Sequence, residues 1–153
     1  MAQKENNIIP MIFDEAFYRK MATQKWRQQD YKKAAEYYEK VLELSPKDFD
    51  IQQHYAQCLV KLNIGKKAEH LFYENIVKDF HVAESFYELS QLNIELNEPN
   101  KAFLFGINYV ILSEDKDFRE MLEKTFEVTY TNEQKIELEA QLFSTQLLFQ
   151  FLF

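Results

Sequence analysis

Few side chains in this sequence could carry chemistry: the histidines His54, His70 and His81, the single cysteine Cys58, and acidic pairs such as Glu114 and Asp115. A metal site needs His, Cys or carboxylate ligands spaced to converge on one ion, and these histidines have no such spacing. Cys58 has no adjacent cation and no helix start to stabilise a thiolate, so it is expected to be a buried packing residue rather than a nucleophile. Acidic pairs on helical surfaces are ordinarily solvated charges. No glycine-rich phosphate loop, Cys/His cluster or nucleophile elbow occurs. The sequence therefore predicts a non-catalytic protein with no catalytic residue, no cofactor and no metal.

The elements that would position any site are helical. Only 2 Gly and 3 Pro punctuate 153 residues, too few turns for a many-stranded sheet, while Glu, Lys, Gln, Leu and Ala favour helix. An apolar content of 46% is enough to build a core. The net charge of -7 argues against nucleic acid and anionic membrane surfaces as partners, both of which demand clustered cations. That charge is uneven: residues 1–48 carry 9 basic and 8 acidic side chains, and residues 83–153 carry 5 against 13. One cysteine, no secretory leader and no long apolar run predict a cytoplasmic location.

Self-similarity organises the chain. Ala34, Ala68 and Ala102 recur every 34 residues, and twelve residues before each stands another small side chain, Ala22, Ala56 and Ser90. Between the members of each pair lies a break: Gln29-Asp30, Asn63-Ile64-Gly65 and Asn97-Glu98-Pro99, in which Asp30 and either Asn97 or Glu98 can cap a new helix and Pro99 suits its first turn. Each unit then reads as helix, tight turn, helix. The small residues let paired helices approach closely.

The stretch DYKKAAEYYEKVLELSP, residues 30–46, resembles the second helix and closing turn of a tetratricopeptide repeat. The resemblance implies an all-α, right-handed superhelical solenoid of antiparallel helix pairs, with units at 15–48, 49–82 and 83–116. Departures are visible. The closing proline occurs only as Pro46, with Phe80 and Glu114 in the equivalent places; Gly106 replaces the aromatic seen as Tyr38 and Phe72, so the third unit is expected to pack irregularly. Lys25 and Asn93 stand where the first helix usually carries an apolar residue, as Leu59 does.

In that family the first helix of each unit lines the concave side where partner segments lie. Carried over, the resemblance implies a partner-binding face of Arg19, Lys20, Thr23, Trp26 and Arg27 in the first unit, Gln53, His54, Gln57, Val60 and Lys61 in the second, and Tyr87, Glu88, Gln91, Ile94 and Glu95 in the third. Trp26 reads equally as a half-buried cover over the helix junction and as an interface anchor. Some members clamp a peptide's terminal carboxylate. Here Arg19 supplies one cation, but Thr23 and His54 replace the two asparagines, and Glu84 and Glu88 replace the third-unit cations, so that ligand would be repelled.

The expected function is a scaffold or adaptor for a protein or peptide partner. The alternative is a small cytoplasmic holding chaperone, since three-repeat secretion-system chaperones resemble this chain in size and acidity. Residues 1–13 are expected to be a flexible tail, with Asp14 as a helix cap. Eight helices are expected, near 14–28, 31–44, 48–62, 66–78, 83–96, 99–112, 117–129 and from 132 to the end. Residues 142–153, LFSTQLLFQFLF, are apolar on every side of a helix, which predicts either a homodimer through this segment or a natural chain that continues beyond Phe153.

Overall fold

A computed structural model describes residues 13–125, which form seven α-helices and no strand: α1 (Glu15–Arg27), α2 (Tyr31–Leu44), α3 (Phe49–Lys61), α4 (Gly65–Val77), α5 (Val82–Glu95), α6 (Pro99–Ser113) and α7 (Lys116–Thr125). Each helix packs on the next in the chain, and α3 also touches α5, so the helix pairs stack as a repeat solenoid. The first seven expected helices are present within two residues at every boundary that falls among the described residues. The eighth helix, residues 1–12 of the tail and the apolar 142–153 segment lie outside them, while Phe13, the last residue of the tail, packs its ring on Phe17 with centroids 4.5 Å apart.

The turns inside the units repeat as strictly as the alanines. Gln29, Asn63 and Asn97, again 34 apart, all adopt left-handed backbone with φ of 59°, 59° and 56°. The next residue in each case donates its amide back over the turn: Asp30 to Lys25, Ile64 to Leu59 and Glu98 to Asn93, at 2.8–3.0 Å. This closure satisfies the last carbonyls of the first helix. Asn97 is thus the residue that ends α5, not a cap for α6; Glu98 takes the N-cap position and Pro99 the first turn. Asp14, Asp30 and Asp48 accept the amides of Phe17, Lys33 and Ile51, capping the first three helices. Such caps contribute about 1 kcal/mol each.

All six periodic small residues, Ala22, Ala34, Ala56, Ala68, Ser90 and Ala102, are fully buried. Ser90 Oγ donates to the Ala102 carbonyl at 2.7 Å, so even the polar member of the series is satisfied across its own seam. Tyr38 and Phe72 are buried beside these seams. Gly106 stands at their equivalent position, and the space is filled by Leu122 of α7. A Cβ on Gly106 would lie 2.6 Å from Leu122 Cδ1 and 3.0 Å from Ser90 Oγ. The irregularity of the third unit is therefore the docking point of α7, which buries Phe118 and Leu122 with Val110.

Phe80, where Pro46 would recur, is half exposed and stacks on Phe49 with ring centroids 4.6 Å apart. Asp79 is left-handed here, and the Phe80 amide reaches back to the Asn75 carbonyl. A hydrogen-bonded helix end thus replaces the proline stop.

Candidate functional site

The first helices α1, α3 and α5 carry the anticipated partner-binding residues. Thr23, on α1, is exposed and donates to the Arg19 carbonyl at 3.0 Å. Burial raises the pKa of Tyr38 on α2, an effect the nearby Thr23 hydroxyl opposes, and the Tyr38 ring stacks on His54 of α3 at 5.9 Å. Gln57 of α3 donates to Glu88 of α5 at 3.0 Å. The expected positions Gln57 and Glu88 thus join α3 to α5 directly, while α1 is joined to α3 by way of α2.

Lys20, Arg27, His54 and Lys61 are exposed, and Gln91 is half-buried. Lys20, Arg27 and Lys61 form no ion pair among the described residues. A depression of about 570 Å³ is lined by Arg19, Lys20, Thr23, Gln24, Arg27 and Gln28. Four of the five first-unit residues anticipated from sequence therefore share one concavity. Trp26, the fifth, is half-buried and packs edge-on against Tyr31 at 5.2 Å, as a cover over the first helix junction.

Three anticipated residues have structural duties as well. Arg19 donates to Glu15 at 2.7 Å and pairs with Asp48 in the linker to the second unit. The Asp48 hydrogen bond raises the Arg19 pKa, although burial opposes it. Burial also works against the Asp48 carboxylate, but the Ile51 amide and the Arg19 guanidinium hold it below its ordinary range. Glu15 is lowered by Ser45, whose hydroxyl donates at 2.7 Å, and by Arg19. Tyr87, 38% exposed, forms an aromatic triad with Tyr109 and Phe118 at 5.2 and 5.3 Å, bridging α5, α6 and α7. Glu88 is held by Gln57.

Gln53 departs from expectation and does not lie on the open face. It is 4% exposed, and its Oε1 accepts from Asn75 Nδ2 at 2.7 Å and from Ser85 Oγ at 3.1 Å. The repeat-equivalent residue is Arg19, whose longer side chain reaches outward; the shorter Gln53 is drawn inward by two buried donors. Gln52 completes this network by donating to Asn75 Oδ1 at 3.0 Å and to Glu74 at 3.2 Å. A signal was available in the sequence: Asn75 and Ser85 stand where the first junction has the apolar Val41 and Ile51.

Among the described residues no group of three or more His, Cys, Asp or Glu could hold a metal ion. His81 pairs with Asp50 at 2.6 Å at the start of α5. Cys58 is buried, and burial pushes its thiol pKa up to about 12, which leaves no thiolate for attack at neutral pH. No helix among the described residues is long and apolar enough to cross a membrane.

Residues 25–72 match the family profile of the tetratricopeptide repeat, a span from the end of α1 into α4. No curated protein and no solved structure matches the chain.

Proposed function

Because residues 25–72 match the tetratricopeptide repeat profile and the helix pairs around them repeat in the same register, we propose that the chain is a non-catalytic adaptor or scaffold that holds a segment of a partner protein along the row of first helices α1, α3 and α5. Tetratricopeptide repeats mediate protein–protein interactions. The observation that supports this face is the exposure of Lys20, Thr23 and Arg27 on α1, His54 and Lys61 on α3, and Glu84 and Glu95 on α5, with Gln57 of α3 donating to Glu88 of α5. The core does not need Lys20, Arg27, Lys61 or Gln91, so they are free to face a partner.

The polar character of this face favours an adaptor over a holding chaperone, which grips apolar client surface. A cytoplasmic location accords with the buried reduced cysteine.

The test compares stability with partner capture. Arg27→Glu and Lys61→Glu should weaken capture of the natural partner from source cells, while Glu36→Lys, on the exposed side of α2, should leave it intact. Lys61→Glu should not shift the unfolding midpoint. Capture lost in Glu36→Lys and kept in both other variants would overturn the assignment of the face.

A further inference from the structure

The 34-residue register makes it possible to read charge across the face position by position. One row runs Lys20, His54, Glu88; a second runs Arg27, Lys61, Glu95; a third, below them, runs Ala16, Asp50, Glu84. Between the first two lies a row of neutral hydrogen-bonding groups, Thr23, Gln57 and Gln91. Every charged row becomes more negative from α1 to α5. The trend is not cancelled locally: Lys20, Arg27, Lys61, Glu84 and Glu95 are exposed and form no ion pair among the described residues. Arg19 is paired with Glu15 and Asp48 and so does not belong to the free charge of the face; Asp50 is hydrogen-bonded to His81 Nε2 at 2.6 Å.

We propose that this face is a polarised docking groove for a partner segment that is itself bipolar, acidic where it lies on α1 and basic where it lies on α5. This rests on the adaptor reading above and adds the partner's chemistry and orientation to it. Helices in contact lie about 8–10 Å apart, so α1 and α5, separated by α3, are on the order of 20 Å apart. That exceeds the Debye length of about 8 Å at physiological salt, and the two ends are therefore sensed independently. A uniformly acidic segment gains at α1 and is repelled at α5; a uniformly basic one meets the reverse. Only a segment with opposite charges at its ends is matched throughout. Spanning the face takes about six extended residues or about thirteen helical ones. At the α1 end the acidic side chains enter the depression beside Lys20 and Arg27.

The experiment uses the full chain and three synthetic peptides of equal length: one with glutamates at one end and lysines at the other, one with glutamates at both ends, and one with lysines at both. Amide shifts locate each peptide, and anisotropy titrations at low and physiological salt give its affinity. The bipolar peptide should perturb α1 and α5 together and bind about tenfold more tightly than either uniform peptide. The double variant Lys20→Glu, Arg27→Glu should reverse the ranking, so that the all-lysine peptide binds best. Two results would overturn the proposal and are distinguishable. If no peptide perturbs α1, α3 or α5, the adaptor face itself is wrong. If all three occupy that face with equal affinity, and the double variant ranks them no differently, the groove stands but carries no polarity.

Discussion

The first and second units meet across an apolar junction, and the second and third across a polar one, although the backbone register is the same. At the first junction Val41 of α2 and Ile51 of α3 are buried. One repeat later the same positions are Asn75 and Ser85, also fully buried, and they bond with Gln52 and Gln53. The difference teaches that the repeat is defined by close helix approach at its small residues, while the space between units accepts either chemistry provided it is filled. The polar solution is the more demanding. An apolar junction tolerates imperfect geometry, whereas each buried polar group left unbonded costs about 1–3 kcal/mol. Gln53 Nε2 already has no protein partner. At the third junction a further filling appears, with Gly106 admitting Leu122 of α7.

The largest effect should come from importing the first junction's residue into the second. Asn75→Val removes the shared partner of Gln52 and Gln53, and should lower unfolding free energy by about 2–4 kcal/mol in urea titrations. Adding Gln53→Met should recover part of that loss, because replacing both partners by apolar groups spares their desolvation. Strictly additive losses would mean that the four side chains do not act as a network. A smaller effect is expected from widening the seams that both junctions share: Ala56→Leu or Ala68→Leu should cost about 1–3 kcal/mol. Unchanged midpoints for both would contradict the close approach at these positions.

The helices and their period were legible in the sequence because helix pairing leaves two separate marks, small residues at the crossing and a break at the turn, and both recur every 34 residues. The left-handed Gln29 was less so, since glutamine gives no local sign of positive φ; only its alignment with Asn63 and Asn97 reveals it. Gln53 was misplaced for a related reason. Register predicts where a Cβ points, but whether a polar side chain goes outward depends on which donors wait inside, and those come from α4 and α5. Similarly, the sequence marked Gly106 as a departure but could not name Leu122 as its occupant, because α7 falls outside the repeat. Of the anticipated face, the exposed Lys20, Thr23, Arg27, His54 and Lys61 were legible because nothing in the core competes for them.

A further comparison restores to the third unit the aromatic residue of the first two. Gly106→Tyr should evict Leu122 and undock α7, at about 1–3 kcal/mol. Hydrogen exchange should show protection lost in α7 and retained in α1–α4. Retained protection in α7 would mean that Leu122 has another place to pack.

The smallest expected effect concerns the ion pairs that fasten α1 to the linker between units. Asp48 is held below 3.8, and Glu15 below 4.5, so their contribution is complete above those values and is lost as pH falls through the lowered ones. Asp48→Asn keeps a capping side chain and should cost no more than about 1 kcal/mol at pH 7. Its stability should also decline less steeply than the wild type's below pH 4. Parallel acid limbs would show that the Asp48 pair contributes nothing to the folded state.

The most direct test of the account places a photo-crosslinking residue at Thr23, Lys61 or Gln91 on the first-helix face, and at Glu36 or Lys66 on the second helices, in the full chain exposed to its natural partner. Adducts of one common partner from the first three positions, and none from the other two, are the predicted result. Adducts confined to Glu36 and Lys66 would contradict it, and would move the binding surface to the other side of the repeats.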